Sequence, residues 1–132
     1  MNLRIALLQL LPAGGTEAQL NKGAAACRRA KEMKADIALF PEMWSDGYYL
    51  PQDETKLREL AVSAESIFVR SFRDLARELN MAVGITFLER YEPKPLNSVI
   101  LFDGNGNECL HYSKVHTCDF DEEKVLSSGE NF

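Results

Sequence analysis

The sequence predicts an α/β domain on a mixed sheet, with its elements in the order βαβαβββ. Three observations carry that expectation. Apolar runs at 3–10, 37–40 and 81–88 alternate with two stretches of helical periodicity, the signature of parallel strands joined by helical crossovers. Two further strand-like runs, 98–102 and 108–114, follow with no helix between them. They flank Asp103-Gly104-Asn105-Gly106-Asn107, which is hairpin-turn chemistry, and Glu92-Pro93-Lys94-Pro95 supplies an earlier reversal.

Each element has a local reason. The first strand ends at Pro12-Ala13-Gly14-Gly15, and Thr16 is placed to cap a helix whose first turn carries Glu17. Leu20, Ala24, Cys27, Ala30 and Met33 then recur at helical spacing to about Lys34. The second helical stretch runs from about 55 to 79, with Ile67, Phe68, Phe72, Leu75, Ala76 and Leu79 as its apolar stripe and Asn80 as its stop. In the third strand Val83, Ile85 and Phe87 share one face. Helical crossovers make the first three strands parallel, and two hairpins then return the fifth to their direction.

Composition narrows the class. With 132 residues the chain is one domain, and 45% apolar with 27% charged residues is ordinary for a soluble globular protein. Fifteen Lys and Arg against twenty Asp and Glu leave a net charge of −5 with no basic stripe, which excludes a nucleic-acid partner. No apolar run approaches a membrane span, and the start MNLRIALLQLLP lacks the features of an export signal. Three cysteines at no framework spacing point to a reducing, cytoplasmic setting.

The chain is organised around Phe40-Pro41-Glu42-Met43-Trp44-Ser45-Asp46-Gly47-Tyr48-Tyr49-Leu50, where the second strand stops at a proline. Glu42 lies just past the carboxyl end of an inner strand, where open α/β sheets place ligand chemistry. Alone, a loop Glu is more often a solvated surface residue. Strand directions, however, put Lys114, 72 positions downstream at the end of the fifth strand, along the same sheet edge.

Phe40-Pro41-Glu42-Met43 with Gly47-Tyr48, and Tyr112-Ser113-Lys114-Val115-His116 with Asp119-Phe120, resemble two of the three signature blocks of the nitrilase superfamily of carbon–nitrogen hydrolases. The opening Leu3-Arg4-Ile5-Ala6-Leu7-Leu8-Gln9-Leu10 and the closing Gly129-Glu130-Asn131-Phe132 resemble it too. The resemblance implies half of a nitrilase-like α-β-β-α sandwich and hydrolysis of small amides, nitriles or carbamoyl compounds without a cofactor. It implies Glu42 as general base, Lys114 as stabiliser of the tetrahedral intermediate, and Tyr48 at the substrate. The family's nucleophile is a cysteine in a third block, past the last residue of this sequence. Residues 1–132 are therefore expected to be a truncated, amino-terminal carbon–nitrogen hydrolase domain, inactive alone. The competing expectation is a non-catalytic α/β module that binds a ligand or a partner through the same cleft.

Other constellations are weaker. Cys27 falls on a helix's apolar stripe, Cys109 in a hairpin, and Cys118 four residues past Lys114 in a segment the family does not use for its nucleophile. Cys109, His111, His116 and Cys118 are zinc-ligand types, but their spacing fits no zinc pattern, and no metal is assigned. Asp119, Asp121, Glu123 and Glu130 count like a calcium loop, yet Lys124 stands where a glycine is needed, so a solvated acidic loop is the better reading. Trp44 and Tyr49 fit a substrate pocket or simple loop packing equally well. Finally, strands one, two and four are apolar on both faces, while the helices supply cover for one. A homodimer packed sheet to sheet is the expected answer.

Overall fold

The computed structural model describes residues 1–118 and 121–131; Asp119, Phe120 and Phe132, named above in the family blocks and the calcium count, lie outside them. Five strands form one sheet in the order β1-β2-β3-β4-β5. They are β1 (Ile5–Leu7), β2 (Ile37–Leu39), β3 (Ala82–Glu89), β4 (Leu96–Phe102) and β5 (Glu108–Ser113). β1, β2 and β3 are parallel, and β4 and β5 follow as antiparallel neighbours, so β5 runs with β3. Three helices, α1 (Thr16–Glu32), α2 (Glu54–Leu60) and α3 (Ile67–Leu79), precede β3.

One face of the sheet is covered by α1 and α3. Ala38, Val83, Ile85, Phe87, Ile100 and Phe102 from the strands pack against Cys27 and Ala30 of α1 and Phe68, Val69, Phe72, Leu75 and Ala76 of α3. The approach of α1 is close because Gly23 has no side chain. A Cβ there would stand 2.8 Å from Phe40 and 2.9 Å from both Phe72 and Trp44. Phe40 and Phe72 meet edge to face, centroids 5.0 Å apart.

Two expectations need correction. Thr16 is not a cap: Gly15 occupies that position and no side chain caps the helix, so Thr16 is simply its first residue. The stretch from 55 to 79 is two helices, separately capped by Asp53 and Ser66. The break has a physical cause. β3 is eight residues long and β2 only three, so the far half of β3 has β4 on one side and no strand on the β2 side. Val62, between the helices, fills the gap: its N–H donates to the Leu88 carbonyl and its carbonyl accepts from Arg90 N–H, both at 2.9 Å.

The break also sends the two helices to different faces. Phe87 and Leu88 alternate across β3; Phe87 joins the large core, whereas Leu88 packs with Met43, Leu50, Leu57, Ala61 and Leu126. That second cluster covers the carboxyl-terminal end of the other face. The rest of that face is open: Leu3, Ile5 and Leu7 are 50–65% exposed, Leu39 is 39% and Leu110 50% exposed.

Candidate active site

Pro41 ends β2, and the loop after it completes the edge of β3 with side chains. Ser45 Oγ accepts from Leu88 N–H at 2.9 Å, while Thr86 Oγ1 accepts from Trp44 N–H at 3.1 Å and donates to the Pro41 carbonyl. Trp44 is 1% exposed and is tied to α1 twice, its indole N–H donating to Gln19 O at 2.9 Å and its carbonyl accepting from Gln19 Nε2 at 2.6 Å. It packs the loop rather than lining a cleft. Met43, fully buried, takes φ 53°, and Tyr48 φ 61°, left-handed values uncommon outside glycine. The Tyr48 N–H closes this turn on the Met43 carbonyl at 3.1 Å.

These constraints aim Glu42 over the end of the sheet at Lys114. Lys114 Nζ donates to Glu42 Oε1 at 3.0 Å and to Glu123 Oε1 at 2.9 Å. Glu42 Oε1 also accepts from Asn97 Nδ2 at 2.6 Å. Glu123 takes two further donors, Tyr48 OH on Oε1 at 2.6 Å and Cys118 N–H on Oε2 at 3.0 Å. The cluster's carboxylates differ in setting: the Glu42 side chain is 48% exposed, that of Glu123 4%.

Charge follows from those contacts. Burial pushes Glu123 up, but the Tyr48 hydroxyl, the Cys118 N–H and the Lys114 ammonium together outweigh it and hold the carboxyl down at about 2. Lys114 loses solvation, yet its hydrogen bonds to Glu123 and Glu42 raise its pKa, so it stays protonated. Tyr48 is raised too, first because its proton is held by Glu123. Asp46, in the same loop, is lifted to about 7 by burial. Backbone amides of Asp46, Tyr48 and Tyr49 temper that shift, although neither buried oxygen has a hydrogen bond of normal geometry.

The carbon–nitrogen hydrolase family profile matches residues 4–132. The chain belongs to the carbon–nitrogen hydrolase family. Its fold is similar to that of the NitN amidase of Nesterenkonia sp. AN1, with 27% identity, a TM-score of 0.82, and coverage of 98% of this chain and 51% of that one. It is 28% identical to citrullinase of Francisella tularensis over 97% of its own length and 46% of the relative's. To the glutamine-dependent NAD(+) synthetase of Thermotoga maritima it is 29% identical over 97% of this chain and 22% of that one. The chain thus spans about half the length of the amidase and the citrullinase, and less of the synthetase.

Of the residues picked out in the sequence of this hydrolase-family chain, Glu42, Lys114 and Tyr48 come together. Tyr48 reaches the cluster through its hydroxyl, which is committed to Glu123. Tyr49 is 62% exposed. Cys27 is buried with its thiol pushed up to about 12 by burial, and Cys109 is exposed on β5. Cys118 is exposed, and its backbone N–H, not its thiol, is bonded to the cluster. Among the described residues no three His, Cys, Asp or Glu side chains converge as metal ligands. His111 instead meets Glu89, Nε2 to Oε2 at 2.9 Å. No helix is long and apolar enough to cross a membrane among the described residues.

Sequence reasoning missed Glu123 and Asn97. Glu123 was counted with the acidic loop; it sits in the 3-10 turn Asp121–Val125, docked where Ser127 N–H reaches the Pro95 carbonyl at 2.8 Å and Gly129 N–H the Lys114 carbonyl at 2.9 Å. Asn97 falls one residue before the strand expected at 98–102 and carries no motif of its own, whereas β4 includes it. Only the register, Leu88 opposite Asn97 and Ser98 opposite Ser113, turns it toward Glu42.

Two pH dependences follow. Glu123 is depressed from 4.5 to about 2, so its stabilisation is complete above about 4.5 and is lost as pH falls toward about 2. In urea unfolding, Glu123→Gln is expected to be less stable than wild type by roughly 1–3 kcal/mol at neutral pH. That difference should shrink through the same acid window. Asp46 has the opposite sign: raised from 3.8 to about 7, it favours the fold below about 3.8 and loses that contribution as pH rises through about 7. Asp46→Asn should therefore be the more stable protein at about pH 8, by roughly 1–3 kcal/mol, with the gap closing on acidification.

Proposed function

We propose that residues 1–132 form the amino-terminal part of a carbon–nitrogen hydrolase domain and carry the Glu–Lys portion of a thiol-dependent site for small amides, nitriles or carbamoyl compounds. The single observation behind this is the contact of Glu42 Oε1 with Lys114 Nζ at 3.0 Å, at the sheet edge where strands of this topology deliver their ligands. In the reaction Glu42 takes the proton of a cysteine thiol as the sulfur attacks the substrate carbon. Charge developing on the substrate oxygen or nitrogen meets the fixed ammonium of Lys114. For an amide, Glu42 passes the proton to the departing amine, and water then cleaves the acyl–sulfur bond with Glu42 again as base. Glu123 keeps Lys114 charged and in place. The ring of Tyr48 faces substrate while its hydroxyl braces Glu123.

The thiol is the part that this sequence does not position. A related amidase has a solved form with acrylamide added at an active-site cysteine, which supports a thiol chemistry here. None of Cys27, Cys109 and Cys118 has its sulfur bonded to the Glu42–Lys114 pair. The 132-residue chain assayed by itself should accordingly release no ammonia from short amides, nitriles or N-carbamoyl amino acids. When a polypeptide bearing a cysteine block is supplied in trans, turnover should appear, and Glu42→Gln or Lys114→Ala should each lower it by about a hundredfold or more. Turnover by the chain alone that disappears in Cys118→Ser would overturn this division and make Cys118 the nucleophile. The rival reading, a non-catalytic amide-binding module, predicts saturable binding of the same amides with no turnover in either assay.

The assembly proposed for the isolated chain is a homodimer through the open sheet face. Ile5 and Leu7 of β1, Leu39 of β2 and Leu110 of β5, with Leu3 just before β1, present apolar side chains that are 39–65% exposed. Soluble monomers rarely leave an apolar sheet face of this kind in water. A second copy offers the same pleated apolar surface, and two sheets pack about 10 Å apart. Sedimentation equilibrium at micromolar concentration should give a dimer, and Leu7→Asp with Leu39→Asp should give a monomer. A soluble wild-type monomer would overturn the assembly and leave the site reading untouched.

A further inference from the structure

The Glu42–Lys114 pair poses a positioning problem that the ion pair cannot solve. Glu42 sits on a loop with its side chain 48% exposed, and an ion pair at such exposure orients its partners weakly. Lys114 does not settle it either, because the ammonium is anchored on Glu123, whose side chain is 4% exposed and which holds it at 2.9 Å. An ammonium held by Glu123 leaves the orientation of the Glu42 carboxylate to other contacts.

A third residue touches both members. Asn97 is 6% exposed and donates from Nδ2 to Glu42 Oε1 at 2.6 Å, the oxygen that Lys114 also reaches. Its main-chain carbonyl accepts the Lys114 N–H at 2.8 Å. Asn97 lies opposite Leu88 on β3, and Leu88 N–H is bound by Ser45 of the Glu42 loop. It is thus anchored to the strand against which that loop is built. An amide nitrogen donates and does not accept, and here its partner is the Glu42 carboxylate oxygen.

We propose that Asn97 is the positioning residue of this site: its side-chain amide pins Glu42 through Oε1, and its main-chain carbonyl sets Lys114 in register with it. This rests on the reading of Glu42 and Lys114 as the working pair, and deepens it. With Oε1 engaged by two donors, the carboxylate plane is fixed, and Oε2 is the oxygen left to accept the proton of an incoming thiol. The division is clean, since Glu123 holds Lys114 and Asn97 holds Glu42.

The test observes position rather than turnover, on the chain as it stands. Through-hydrogen-bond ¹⁵N–¹³C coupling is measured by NMR from Lys114 Nζ to the carboxyl carbons of Glu42 and Glu123. In Asn97→Leu the coupling to Glu42 should vanish while that to Glu123 persists. Asn97→Asp keeps the shape and serves if the leucine variant does not fold. There the coupling to Glu42 should be absent at about pH 8, where two carboxylates face each other, and return near about pH 5, where they share a proton. Coupling to Glu42 that survives in Asn97→Leu, or that is indifferent to pH in Asn97→Asp, would overturn the proposal. Failure of the catalytic reading appears elsewhere, as missing turnover in the assay above with these couplings intact.

Discussion

The structure turns on a mismatch of strand lengths. β2 stops after three residues, at a proline that cannot continue the ladder, while β3 runs for eight. The exposed edge of β3 beyond Gly84 carries backbone groups that must find partners in a buried setting. Ser45 and Val62 provide them, with Thr86 tying the loop back to Pro41 and Trp44. The loop is therefore a substitute strand, built largely from side-chain hydrogen bonds. Because it is held against β3 at several points, Glu42 has little freedom in where it emerges.

The electrostatics are asymmetric in the same useful way. One ammonium stands between two carboxylates of unlike surroundings. A buried carboxylate ordinarily gains protons, and Glu123 does the reverse because a phenol, a backbone amide and Lys114 all donate to it. It is the permanent counter-charge. Glu42, half exposed, has fewer partners, Asn97 and Lys114. That difference fits the division of labour proposed above, with Glu42 as base and Glu123 holding the lysine.

Most of this fold was legible in the sequence. Short apolar runs gave the strands, and the crossovers and hairpins gave their directions. Those directions alone brought Glu42 and Lys114 to one edge. The division of the second helical stretch was not legible, because hydrophobic period persists through 55–79 while the reason for the break lies in β3, a strand that comes later in the chain. Thr16 misled for a simpler cause: a capping residue type beside a glycine pair leaves the exact start of a helix open. Glu123 and Asn97 were hidden because their significance is relational. Nothing in either residue's neighbours along the chain marks it, and only strand register and the docking of the Asp121–Val125 turn bring them to Lys114 and Glu42.

The sheet's second face shows why apolar sequence states a need for burial without stating what supplies it. Leu88 and Leu7 belong to strands of the same sheet and are equally apolar, yet Leu88 is fully buried and Leu7 is 65% exposed. What separates them is α2. Sent across the sheet by the break at Val62, it closes over Leu88 together with Met43, Leu50 and Leu126. Met43 directly follows Glu42, and Leu126 lies three residues past Glu123, so the small cluster anchors both carboxylate-bearing segments. The covered end of this face is thus the end that carries the site, and the chain completes it from its own residues. The open end around Leu3, Ile5, Leu7 and Leu110 takes no part in holding Glu42 or Lys114. Whatever covers that open end acts on assembly and stability, while the geometry of the charged cluster is already fixed within the chain.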